Sequence, residues 1–244
     1  MTSLVSTELL RLRTTRTPWA LAVLFLALSI ALMVLARASI GTPDGPQPGT
    51  PKVRDLYVGS VGLAALLLPM LLGALATADE FHHRTATSTF LIAPDRGRLI
   101  ISKVIAHSLL GVVIGGTLTM LGIAVAVIGG AGEHVDVAFL VGVGGVLVMS
   151  GWAGAMGVCL GTVVHSSATA AVAPVFWFVV VEPLLGAYQL ITLRPWTPGG
   201  AATAVSGADV PWALPAWAAL LVLLGYAGAF GILGTRRIVR ADIG

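Results

Sequence analysis

Six long apolar stretches, separated by short polar segments, fill most of this 244-residue chain. About 20 apolar residues suffice to cross a hydrocarbon core of ~30 Å as a helix, and the stretches run 18–36, 58–78, 100–128, 137–164, 168–190 and 211–234. The pattern predicts an all-α polytopic membrane protein with six transmembrane helices. Too little chain remains for a separate soluble domain, so 1–244 reads as a single transmembrane domain.

The polar segments differ in character. Before the first stretch, Val5, Leu9 and Leu12 repeat at helical spacing while Arg11 and Arg13 fall elsewhere. This spacing predicts an amphipathic helix lying flat in the membrane interface. The following stretch, Pro18 to Ala36, is longer than the about 7–15 residues of a signal core, so it reads as an uncleaved anchor despite the small residues Ala36 and Ala38. Between 37 and 57, Pro43, Pro46, Pro48 and Pro51 with Gly41, Gly45 and Gly49 predict an extended or disordered loop. The 165–167 link is short enough to make spans four and five a hairpin. The 191–210 link contains RPWTPGG and is long enough to dip back toward the membrane, with Trp196 and Trp212 suited to the interfacial level.

A polar insert, Asp79 to Arg98, joins spans two and three. Glu80 and Arg84 stand at i,i+4 with the acid first, the favourable order for an exposed helical ion pair. Thr85, Thr87, Ser88 and Thr89 weaken that helix and offer caps for a new one. Phe90, Leu91 and Ile92 form an apolar knob, and Pro94 drives the residue before it out of helical geometry, so a helix here ends near Ala93. The insert therefore predicts a short cytosolic helix with an apolar tip.

Composition and charge sharpen the class. Hydrophobic residues make up 57% of the chain and charged ones 10%, against about 25% charged in soluble domains. Ten basic residues (Arg11, Arg13, Arg16, Arg84, Arg96, Arg98, Lys103, Arg236, Arg237 and Arg240) fall on one side of the spans, and only Arg37, Lys52, Arg54 and Arg194 on the other. Basic loops are retained in the cytoplasm, which predicts cytosolic termini and a cytosolic insert. The net charge of +3 reflects this anchoring, and no nucleic-acid partner is expected. Arginine outnumbers lysine 12 to 2, which points to a GC-rich bacterial source and a location in the bacterial cytoplasmic membrane.

Candidate chemistry inside the spans is sparse. Glu182, beside Pro183, lies in the outer third of span five, where it is either structural and water-facing or part of a substrate path. His107 near the inner end of span three reads as a packed or snorkelling residue. His82 and His83 point to different helix faces, so no metal site is expected. Gly111 with Gly115, Gly157 with Gly161, and the series Gly225, Gly228, Gly231 and Gly234 are small-residue patterns that let helices approach closely, within one chain or between subunits. The sequence holds no GxxxxGK[ST] loop, GxSxG elbow or HExxH pair, so catalysis by this chain alone is not expected, and Cys159 has no second cysteine to pair with.

With these features in order, the string DEFHHRTATSTFLIAPDRGRLIISK resembles the cytosolic signature of ABC-transporter permeases of the type-2 exporter class. Glu80, Phe81, Thr85, Phe90, Leu91, Pro94, Arg96 and Lys103 match that pattern, while Arg84 precedes Thr85 where many relatives have glycine. The resemblance implies a permease that pairs with a second copy or a paralogue and with separate ATP-binding subunits. Those subunits would hold ATP and Mg²⁺, with no cofactor bound by this chain. It further implies that Glu80, Arg84, Thr85, Thr87, Ser88, Phe90, Leu91, Pro94 and Arg96 form the coupling element, and that an amphipathic or hydrophobic substrate is moved out of the cytoplasm. A six-span scaffold or sensor docking a cytosolic regulator is the alternative, and membrane lipid surrounds the chain in either case.

Overall fold

The computed structural model describes residues 16–82, 96–128, 137–164, 166–187, 192–207 and 210–240. Among them there is no strand, and six helical segments are long and apolar enough to cross a membrane. Helix α1 spans Arg16–Ser39, α2 Pro51–Ser60, α3 Gly62–His82, α4 Arg96–Ile128 and α5 Val137–Val164. Helix α6, Ser167–Phe176, passes through a π turn at Trp177–Val181 into α7, Glu182–Ala187. A 3₁₀ turn at Arg194–Trp196 then leads to α8, Pro198–Val205, and the last span is α9, Ala216–Arg240. The expected amphipathic helix at Val5, Leu9 and Leu12 lies outside the described residues.

Helix α3 forms the centre of the bundle. Two-thirds of its apolar window (67%) is buried, against 11% for α9 and 22% for α1, so the outer helices turn apolar faces toward lipid or another subunit. Glycines decide how tightly the centre packs. A Cβ on Gly157 of α5 would lie 2.1 Å from the Met70 carbonyl of α3, and one on Gly161 2.5 Å from that of Ala74. On the other side of α5, a Cβ on Gly154 would meet the His107 carbonyl of α4 at 2.1 Å, and one on Gly111 of α4 would meet that of Ser150 at 2.1 Å. In lipid, where association rests on close packing rather than on hydrophobicity, such backbone contact is a main source of helix affinity. Gly225 and Gly228 differ, since a Cβ on either would meet nothing.

Polar contacts add specific ties. The Trp152 indole of α5 donates to the Leu223 carbonyl of α9 at 2.7 Å, fixing the last span to the centre. His107, 1% exposed, is packed rather than snorkelling, with Nδ1 3.0 Å from the Lys103 carbonyl.

Two expectations need correction. The 37–57 loop is not extended throughout. Turns occupy 40–50, with Gly41 at φ 81° and Gly49 at φ 78°, but Pro51 then opens helix α2, whose Val53 and Tyr57 are buried. Proline suits the first helical turn, where its missing N–H costs nothing. Gly122 of α4 gives α2 room, because a Cβ there would meet the Tyr57 carbonyl at 3.2 Å. The last span also starts later than residue 211: the prolines at 211 and 215 keep this stretch out of helical geometry, and α9 begins at Ala216.

Candidate functional site

At the insert end of the bundle, the close of α3 and the opening of α4 flank the polar insert. The end of α3 is pressed against α5, since a Cβ on Gly161 would lie 2.8 Å from Thr77 Cβ and 3.1 Å from the Ala78 nitrogen. Asp79 and Glu80 follow. Consecutive helical residues point about 100° apart, and these two acids reach different neighbours. The Ser167 hydroxyl, at the first position of α6, donates to Asp79 Oδ1. The Lys103 ammonium of α4 donates to Glu80 Oε1 at 2.8 Å, and their side chains are 2% and 7% exposed. The α3 end of the insert is thus fastened twice, onto α6 through Asp79 and across to α4 through Glu80.

This arrangement changes the reading of Glu80. Its spacing from Arg84 predicts an exposed helical pair, whereas the side chain is buried and bonded to a lysine 23 positions away. Arg84, Thr85, Thr87, Ser88, Phe90, Leu91 and Pro94 lie outside the described residues, and Arg96 opens α4. Among the described residues, no three His, Cys, Asp or Glu side chains converge as metal ligands would.

A second polar cluster lies at the opposite end, around Glu182. Pro174 and Pro183 each remove a backbone donor from this span, so the i−4 ladder is interrupted on both sides of the intervening π turn. The π turn has a geometric consequence. Residues five apart diverge by about 140° on an α-helix, but π winding, which closes i→i+5 bonds, stacks them. Trp177 therefore sits under Glu182 and donates its indole N–H to Oε1 at 3.0 Å. The backbone N–H of Gly199 donates to the same oxygen at 2.8 Å, and the Thr197 hydroxyl lies 2.9 Å from Oε2.

Thr197 is also the N-cap of α8, accepting from the Gly200 N–H at 3.1 Å. The carboxyl group thus occupies the start of α8, where unsatisfied backbone N–H groups attract a negative group. A Cβ on Gly199 would lie 2.6 Å from Glu182 Cδ, so a larger residue there would displace the carboxyl group from its donors. The surrounding segment is tied in by Arg194, whose guanidinium stacks 4.3 Å from the Trp212 ring centroid, and by the Tyr226 hydroxyl of α9, which donates to the Trp196 carbonyl at 3.2 Å. The sequence marks Glu182 as conspicuous. It does not reveal the partners, which arrive 15 and 17 positions later through an irregular turn.

Six apolar helices in an all-α bundle define a multi-pass membrane protein, with its second and third spans tied to each other at the insert end. A family model described as "ABC-2 family transporter protein" matches residues 4–182, well over half of the chain. The chain belongs to the ABC-2 transporter family and is a permease component of an ABC transporter. Membership implies pairing with an ATP-binding subunit. A comparison with curated proteins gave no match.

Proposed function

We propose that this permease works as an exporter, moving an amphipathic or hydrophobic substrate out of the cytoplasm as half of a homodimer or paralogous pair driven by two separate ATP-binding subunits. The observation that carries this reading is the fastening of the insert: α3 and α4, on either side of it, are joined by a buried Glu80–Lys103 pair, and α3 is tied to α6 through Asp79 and Ser167. A force applied to the insert would then reach three spans at once rather than dissipate in one loop. Arg84, Thr85, Thr87, Ser88, Phe90, Leu91, Pro94 and Arg96 supply the contact surface in this proposal, with Glu80 anchoring it.

The distribution of basic residues supports a cytosolic insert and termini, in a bacterial cytoplasmic membrane. In a Cys159→Ala background, an impermeant thiol reagent should label a cysteine placed at position 47 rapidly in intact cells. Labelling at position 88 under the same conditions would reverse the orientation.

The energetic part is tested by reconstitution. The chain has no phosphate-binding loop, so the purified polypeptide is expected to show no ATP turnover, and substrate-stimulated turnover is expected only with its ATP-binding subunit present. Hydrolysis by a preparation free of other proteins would contradict the division of labour. A complex that assembles and hydrolyses ATP but never responds to a hydrophobic substrate would favour the scaffold reading.

A further inference from the structure

Helix α8 is short, built of small residues and deeply placed. Its eight residues include Gly199, Gly200, Ala201, Ala202 and Ala204, and Ala201 and Ala202 are 0% and 2% exposed. It packs against α9 and α5, approaching α5 so closely that a Cβ on Gly145 would lie 1.9 Å from the Val205 carbonyl. Isolated helices of this length are marginal in water, and side chains this small bury little apolar surface each. Close backbone packing holds the Val205 end of α8 against α5, and the polar contact at its start holds the other end.

That contact is Glu182. Its Oε1 takes the Gly199 N–H and Oε2 meets the Thr197 hydroxyl, while the π turn sets the carboxyl group facing them. At the other end of α8, Gly207 has φ 75°, in the left-handed region that glycine enters at little cost, and it follows α8 closely enough to act as a hinge. We propose that Glu182 is a latch holding α8 as a plug in the end of the bundle away from the insert, and that the start of α8 swings out about Gly207 when this contact is lost. The latch gives Glu182 a positioning role and accounts for an acid in a span that is otherwise apolar. Its side chain carries the contact, and the shape of the span aims it.

The test uses the full chain in membranes, with Cys159→Ala and a reporter cysteine, Ala202→Cys, probed by an impermeant maleimide. The parent should label slowly. Glu182→Ala should raise the rate about tenfold or more, the scale expected when an N-terminal capping contact is removed from a marginal helix. Thr197→Val should raise it several-fold. Glu182→Gln should stay within about twofold of the parent, because a carboxamide can accept from Trp177 and Gly199 and donate to Thr197.

A control cysteine at buried Ala106, at the insert end, reports general loosening. If Glu182→Ala exposes both reporters, Thr197→Val decides, and unchanged labelling at position 202 there overturns the latch. Fast labelling of the parent, or labelling at position 202 that ignores Glu182→Ala, overturns it as well. The labelling needs neither ATP nor substrate, so its failure is distinct from failure of the exporter reading.

Discussion

Replacing Glu80 by leucine is expected to destabilise the purified protein by about 3–5 kcal/mol, with Lys103→Met costing a similar amount, because each leaves one half of a buried ion pair behind. An exposed helical pair would give only ~0.2–0.5 kcal/mol, and burial decides between the two scales. The carboxylate and ammonium are 2.8 Å apart, with side chains 7% and 2% exposed. Replacing both with apolar residues of similar volume, Glu80→Leu with Lys103→Met, is expected to recover most of the loss, since removing a whole buried pair is often neutral or better. Thermal unfolding of the four proteins in detergent, read as a double-mutant cycle, measures this. Additive losses in the double variant would mean that the two side chains act independently and that the pair does not hold the ends of α3 and α4 together.

The spans are legible in sequence because lipid imposes one simple requirement, an apolar run of sufficient length, and every helix long enough to cross begins within a few residues of its run or encloses it. The pairing of Glu80 with Lys103 was not legible. Helical spacing connects residues three or four apart, and the true partner sits beyond a 13-residue stretch (83–95), on another helix. The surplus of glycine and proline before Thr50 concealed helix α2, although Val53, Leu56 and Tyr57 do recur at helical intervals after Pro51 and could have disclosed it.

Around Glu182 the limit is geometric. The prolines at 174 and 183 signal an irregular span, but a π turn rather than a kink decides which way the acid faces, and no spacing rule for an α-helix anticipates contact between residues five apart. The glycine patterns show the same division. Gly111, Gly115, Gly157 and Gly161 all lie at close helix contacts within the chain, whereas Gly225 and Gly228 follow a similar pattern and meet nothing. Sequence identifies small residues; which of them touch a neighbour depends on the rotation of each helix.

Replacing Phe90 and Leu91 together by alanine is expected to abolish association with the ATP-binding subunit, or to uncouple it from transport, while leaving the membrane bundle folded. An apolar tip on a polar turn costs about 25 cal/mol for each Å² of apolar surface left in water, so the tip needs a place to bury. The proposed place is a groove on the ATP-binding subunit. Aromatic anchors at such contacts commonly carry about 2 kcal/mol or more, which corresponds to about a 30-fold loss of affinity. The competing destination is the membrane surface beside the protein's own spans, where aromatic residues also settle. A pull-down and a transport assay on Phe90→Ala with Leu91→Ala separate the two, with unfolding temperature as the control for folding. The bundle should be unaffected, because its insert end is held by Glu80 with Lys103 and by Asp79 with Ser167, none of which the substitution touches. Unchanged complex yield together with unchanged transport would place the tip in the membrane and move the coupling element elsewhere.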